Sequence, residues 1–102
     1  MPTRLLKISN LWDRNTKLTD EAYLDLLEDM KGELSKVSGV KAMKIVENSQ
    51  CRFGAEVGST FVEFEDCNAA KSAYTMLHGR DYDSRRIKLY YVDEDLYSYF
   101  FD

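Results

Sequence analysis

The sequence predicts an α+β sandwich in which two helices cover one face of a four-stranded antiparallel sheet. Three observations carry this. Two stretches repeat their apolar residues every three or four positions, the period of a half-buried helix. Four shorter stretches alternate, or are rich in β-branched and aromatic residues, as strands are. The stretches follow one another as β-α-β-β-α-β over 102 residues, a length that suits one domain.

The first strand is expected over Arg4 to Asn10, where Leu6 and Ile8 alternate with Lys7 and Ser9. A loop follows to Lys17. Thr19 then offers its hydroxyl as an N-cap, with Asp20 and Glu21 at the positive end of the helix dipole. Apolar residues at Tyr23, Leu24, Leu27, Met30, Leu34 and Val37 continue the helix, and Gly39 is its expected stop. Gly32 inside it costs about 1 kcal/mol relative to Ala. Val40 to Glu47 is expected as a second strand, Asn48 to Val57 as a polar loop and Gly58 to Phe64 as a third strand. Asp66 or Asn68 caps a second helix carrying Ala69, Ala70, Ala73, Tyr74 and Leu77, which Gly79 ends. A turn leads to a last strand over Ile87 to Val92. Asp93, Glu94 and Asp95 begin an amphipathic tail with Leu96, Tyr97, Tyr99, Phe100 and Phe101, expected as a short C-terminal helix. The order is that of the ferredoxin-like split βαβ arrangement, and it leaves one sheet face open.

Composition excludes several classes. Hydrophobic residues make up 44% and charged residues 31%, a globular balance that argues against disorder and allows one modest core without staples. No apolar stretch is long enough to span a bilayer, and no signal-peptide pattern follows Met1. Cys51 and Cys67 are too few for a disulfide framework and are expected as reduced thiols. With His78 the single histidine, neither metal spacing nor a nucleophile–base constellation appears, so no cofactor, no metal and no catalytic residue are expected. The net charge of −4 argues against a general nucleic-acid binder, whose affinity comes largely from neutralised phosphates. The charge is uneven, however. Asp20, Glu21, Asp25, Glu28, Asp29 and Glu33 face a single Lys31 on the first helix, whereas between Arg80 and Lys88 the balance is basic, with Arg80, Arg85, Arg86 and Lys88 against Asp81 and Asp83.

The third strand reads Val57-Gly58-Ser59-Thr60-Phe61-Val62-Glu63-Phe64. It fits the frame of the RNP1 run of RNA-recognition motifs, which stack bases on aromatics of the two central strands. Alternation sends Thr60, Val62 and Phe64 to the core and Ser59 and Phe61 to the open face. The first strand resembles the partner run, RNP2, but carries Lys7 where an aromatic usually stands. Val57 replaces a basic residue. Each lost stacking platform could remove about 1–3 kcal/mol per base. Phe61 is therefore expected to lie under the tail, with Leu96, Tyr97, Phe100 and Phe101 as covers. Phe61, Lys7 and Tyr90 remain the candidates for weak RNA contact.

Asp25, Asp29 and Glu33 lie four residues apart and form one negative stripe on the first helix, with Glu28 and Glu21 beside it. Charges alone usually mark a solvated face. Three like charges repel one another, and no interleaved lysine is seen along the stripe, which suits a docking surface for a basic peptide. After the second helix comes Gly79-Arg80-Asp81-Tyr82.

The degenerate RNP1 run, the acidic helix, Arg80-Asp81-Tyr82 and the tail together resemble the U2AF homology motif, a protein-binding variant of the RNA-recognition motif. The resemblance covers essentially the whole chain. It is nearest to the C-terminal domains of the large subunits of the U2 snRNP auxiliary factor, on Asp20-Glu21-Ala22-Tyr23, Glu28-Asp29-Met30, Ser35-Lys36, Gly58 with Phe61-Val62-Glu63-Phe64, and Asp93-Glu94-Asp95-Leu96-Tyr97. It implies a pre-mRNA splicing module in the nucleus. Its ligand would be a partner peptide with basic residues and a tryptophan, such as one from the branch-point-binding protein or a U2 snRNP subunit. Carried over, Arg80 and Tyr82 wall the tryptophan pocket and Arg80 pairs with Glu33. Asp25, Asp29 and Glu28 meet the peptide's cations, and Leu26 and Met30 form the floor. Tyr82 departs from the family's phenylalanine; its hydroxyl needs a partner. The chain starts almost at its first strand and is expected to be one domain, 1–102, excised from a larger protein whose other domains bind RNA. The alternatives are a single-stranded-RNA module using the sheet, and a scaffold or dimerisation domain.

Overall fold

A computed structural model describes residues 2–13, 15–47 and 56–96. Its elements are β1 (Leu5–Ser9), α1 (Asp20–Leu34), β2 (Val40–Ile45), β3 (Thr60–Phe64), α2 (Cys67–Leu77), β4 (Asp81–Tyr82), β5 (Arg85–Arg86), β6 (Lys88–Val92) and a 3-10 turn (Glu94–Leu96). The main sheet runs β2-β3-β1-β6, every neighbouring pair antiparallel. The expected β-α-β-β-α-β sandwich is what the chain forms, with one addition. The segment read as a plain turn is a small hairpin, β4–β5, paired Asp81 to Arg86 and Tyr82 to Arg85. Its two central residues, Asp83 and Ser84, have φ of 51° and 67°. Positive φ at both positions gives a primed turn, whose twist matches that of paired strands. Without glycine, the Asp-Ser pair gives little sign of this in the sequence.

α1 is capped as expected: Thr19 Oγ1 accepts from the Ala22 backbone N–H at 3.2 Å. Leu26, Met30 and Leu34 turn inward and are buried. Leu24, counted among the apolar positions, is 59% exposed, because a 3.6-residue period turns it well away from Leu26 and Met30. The helix also stops earlier than expected. Its end tightens into three-residue bonds, Lys36 N–H to Glu33 at 3.3 Å and Val37 N–H to Leu34 at 3.0 Å, a common way to satisfy last-turn carbonyls. Gly39 serves a different purpose. At φ +90° it turns the chain into β2, and a Cβ there would sit 2.9 Å from that of Ala69.

α2 is capped by Asp66 rather than Asn68; Asp66 Oδ1 accepts from Ala69 N–H at 2.9 Å. It buries Ala70, Ala73 and Leu77. The two alanines let the helix lie close on the sheet, where Leu6, Ile8, Val62 and Phe64 complete the core. Burying one such leucine or phenylalanine stabilises by about 1.5–3 kcal/mol.

Gly58 explains part of the RNP1 pattern. Its φ is +86°, and a Cβ would come within 2.6 Å of Trp12 Cβ. The glycine therefore lets the β1–α1 loop lie on the entry to β3, where the Trp12 indole N–H donates to the Thr16 carbonyl at 2.8 Å. Strand β2 ends, and β3 begins, two residues inside the expected bounds, consistent with fraying ends. Most of the expected polar loop (48–55) and the tail from Tyr97 lie outside the described residues. Of the expected C-terminal helix, the described part is the single 3-10 turn.

Candidate functional site

Two surfaces could take a ligand: the open sheet face, and the face shared by α1 and the β4–β5 hairpin. The register puts Lys7 opposite both Phe61 and Tyr90, so all three side chains share the open face. They do not share its exposure. Phe61 is 2% exposed and packs with Leu5, Val46 and Val92 in a second apolar cluster. Its burial agrees with the expectation that this ring is covered rather than open to a base: alternation gives its face, and cover from neighbouring groups decides whether a ring is accessible. Ser59 is buried on the same face. Tyr90, by contrast, is 50% exposed, with the Lys7 ammonium 5.5 Å from its ring centroid, within cation–π range. A depression of about 330 Å³ lies here, bordered by Lys7, Phe61, Lys88, Tyr90 and Leu96. Of the expected covers of Phe61, Leu96 borders the same depression; Tyr97, Phe100 and Phe101 are outside the described residues. Arg4 bonds Glu63 on β3 and, at 2.6 Å, Glu94, tying the 3-10 turn back over the same face.

On the other side the hairpin docks against α1. Arg80 presents its guanidinium to Glu33, Nη1 to Oε2 at 2.9 Å and Nη2 to Oε1 at 3.5 Å. The Tyr82 hydroxyl donates to Asp29 Oδ2 at 2.6 Å. The stripe is therefore less bare than its spacing suggests. Glu33 also meets Lys36 Nζ at 3.3 Å, a lysine three residues along the chain and beyond the helix end. Burial pulls the Glu33 carboxyl upward. The Lys36 hydrogen bond and the Arg80 charge outweigh this and hold it below its ordinary value. Burial, then the bond to Asp29 and the charges of Asp29, Asp83 and Asp25, push the Tyr82 phenol far above its usual range. The hydroxyl is a neutral donor near neutral pH.

Leu26 and Met30, on the same helix, are 2% and 1% exposed and belong to the main core, against which Tyr82 packs. Asp25 and Glu28 are exposed and have no hydrogen bond or ion pair among the described residues. The structure thus brings together Asp29, Glu33, Arg80 and Tyr82, with Asp25 free one turn before Asp29 and Glu28 free beside Asp29 around the helix. The Arg86 guanidinium bonds Asp81 across the hairpin at 2.7 Å, joining its two strands. The sequence expectations missed this brace; the Asp-Tyr-Asp-Ser-Arg-Arg run, with opposite charges flanking a turn, is the signal that could have found it.

The RNA recognition motif family model matches residues 26–88. The kinase Kist of Homo sapiens is 29% identical over 85 residues, covering 83% of this chain and 19% of the kinase. A U2af large-subunit splicing factor of Oryza sativa subsp. japonica is 28% identical over 101 residues, covering 96% of this chain and 18% of that protein. Among solved structures, the RNA15 RRM superposes with a TM-score of 0.60 at 26% identity, covering 96% of this chain and 99% of that one. The chain spans about a fifth of the length of the curated relatives it matches.

Proposed function

Given that the chain belongs to the RNA recognition motif family, we propose that it is a protein-binding member of the U2AF homology type. In this reading it acts in pre-mRNA splicing in the nucleus, as one domain of a larger protein. Its ligand is a peptide of a partner splicing factor, carrying a tryptophan beside lysines or arginines. A branch-point-binding protein and a U2 snRNP subunit are the partner classes that fit. The tryptophan would stack on Tyr82 at the edge formed by Arg80, and the buried Leu26 and Met30 would have to be uncovered to form the pocket's floor, while the peptide's cations meet the α1 carboxylates.

The observation that carries this reading is the docked hairpin. Arg80 on Glu33 and Tyr82 on Asp29 set an aromatic ring and an acidic helix face side by side, which suits a ligand that is aromatic at one point and basic beside it. The U2AF large-subunit likeness over nearly the whole chain supports the same class. The test is a titration with a short peptide of several lysines and one tryptophan. Binding in the micromolar range is expected, weakened at least about tenfold by Tyr82→Ala and clearly weakened by Glu33→Lys. No binding at tens of micromolar, or indifference to both substitutions, would remove the proposal. Because the charges act mainly on encounter and specificity, added salt should weaken binding moderately without abolishing it.

A second reading, single-stranded RNA binding on the sheet, is favoured by exposed Tyr90 beside Lys7 and Lys88 in the 330 Å³ depression. RNA binding that falls steeply with salt and is lost on Tyr90→Ala would support it.

A further inference from the structure

β2 is an outer strand, and among the described residues no strand pairs with its outer side. Val46 just beyond it bonds inward: its N–H donates to the Ser59 carbonyl at 2.8 Å and its carbonyl accepts the Gly58 N–H at 2.9 Å. Alternation along an antiparallel strand therefore turns the peptide groups of Met43 and Ile45 outward, as donors and acceptors for another chain. Beside this edge runs a groove of about 400 Å³, bordered by Lys31 and Leu34 of α1, Val37 of the connection, and Val40, Lys41 and Met43 of β2. Its floor is apolar. Leu34 belongs to the core, Val37 and Met43 pack against that core, and Val40 is 37% exposed. Its rim is cationic. Lys31 and Lys41 are exposed and have no hydrogen bond or ion pair among the described residues, and no carboxylate borders the groove. The register shift between Val40 and Ala42 makes Lys41 the extra residue of a bulge, a device that re-aims a side chain at a sheet edge.

We propose that this edge is a second docking surface, which takes an extended segment of a partner protein that alternates apolar and acidic residues. The segment adds a strand to β2 through the peptide groups of Met43 and Ile45. Its apolar side chains enter the groove over Val37, Val40 and Met43, and its carboxylates meet Lys31 and Lys41 at the rim. Lys44 lies opposite Phe61 and so on the other face of β2, where it offers a third cation to residues of the other parity. Lysine at a sheet edge commonly keeps two edges from joining. Here the same charges choose the occupant. A second copy of this chain would crowd lysines of both copies along one seam, whereas an acidic strand neutralises them. The groove shares no residue with the contact between α1 and the hairpin, and the proposal does not rest on the reading given to that contact.

The probe is a short peptide alternating valine and glutamate, compared with a valine–lysine peptide of the same length. The glutamate peptide should bind with a Kd of about 100 μM or tighter and the lysine peptide should not. On binding, the Met43 and Ile45 amides should shift in NMR spectra and gain protection from hydrogen exchange. Lys31→Glu with Lys41→Glu should weaken binding at least about fivefold, while Lys71→Glu, an exposed charge on α2 outside the groove, should change it by less than about twofold. A further arm needs no variant of the protein. N-methylation of the valine nitrogens and of the glutamate nitrogens should have opposite outcomes, one abolishing binding and the other sparing it, because only alternate N–H groups face β2. Equal binding of the two peptides, equal loss from both methylations, a Lys71→Glu effect as large as that of the groove pair, or no binding of the glutamate peptide at about 1 mM overturns the proposal. So does self-association of the free protein through β2, seen by light scattering with shifts of the same amides, since it would give the edge to a second copy.

Discussion

Phe61 and Tyr82 are both aromatic residues that the sequence places at a binding surface, and they end in opposite circumstances. Phe61, on the open sheet face, is 2% exposed and joins Leu5, Val46 and Val92. Tyr82, on the hairpin, keeps a partly exposed ring and sends its hydroxyl to a helix carboxylate. Around Phe61 the sheet face forms a second apolar cluster, while Tyr90 on the same face stays half exposed. The helix face has been turned into a polar contact that packs an aromatic beside fixed charges. An aromatic that fills a core serves stability. One held by its rim over a charged surface is available to a ligand. The contrast explains why the two faces of a shared fold need not keep the same task.

The largest expected effect separates the two rings directly. Phe61→Ala removes a buried aromatic and should cost about 3–5 kcal/mol of folding stability, as measured by denaturant unfolding. A cost below about 0.5 kcal/mol would mean that the ring is exposed in solution, and the sheet would return as a candidate binding surface. Tyr82→Ala sits next. It should cost roughly 1–2 kcal/mol, through lost packing and the lost bond to Asp29, while removing most of the peptide affinity. A stability loss as large as that of Phe61→Ala would make Tyr82 a core residue too and would dissolve the contrast.

Gly32→Ala offers a control on the helix that carries the acidic stripe. No atom lies within 4 Å of the added methyl, and the position is within α1, so stability should rise by about 1 kcal/mol. The melting temperature should rise by roughly 4–8 °C with peptide binding unchanged. The smallest effect concerns pH. Glu33 is held below its ordinary value of 4.5 by Lys36 and Arg80 against the opposing pull of burial. A depressed carboxylate contributes its stabilisation fully above its unfolded value and loses it as pH falls through the lower folded value. Hairpin docking should therefore be intact near neutrality and loosen below about 4.5, visible as selective shifts of Arg80 and Tyr82 resonances before global unfolding. Loosening that begins at neutral pH would place its cause elsewhere.

Much of this molecule can be read from its residues. Alternation in Leu6-Lys7-Ile8, the cap at Thr19 and the three-to-four spacing of Leu27, Met30 and Leu34 are local signals, and each acts through short-range geometry. The pairing of Arg80 with Glu33, implied by the family resemblance, is present at 2.9 Å. What was not legible depends on neighbours far away in sequence. Gly39 looked like a helix stop because glycine commonly ends helices, but its place is set by Ala69, thirty residues on. The β4–β5 hairpin rests on two residues with positive φ, neither of them glycine. The relief of the acidic stripe comes from Lys36 beyond the helix end and from groups on the hairpin, none of which shares its i, i+4 ladder.

By itself, then, the sequence determined the order of elements, the faces of the strands and the residue types available at each surface, because those follow from backbone period and local capping. Tertiary structure alone decided which aromatic is accessible. Phe61 and Tyr90 occupy the same sheet face by alternation, yet one is buried and the other half exposed. Accessibility is the summed cover of residues brought together by folding, and no local pattern encodes that sum. The same holds for the absent aromatics with which the sheet face was first discounted. Their loss is visible in the chain, but the engagement of Asp29 by Tyr82, which leaves Asp25 and Glu28 as the open charges, exists only once the hairpin lies on the helix.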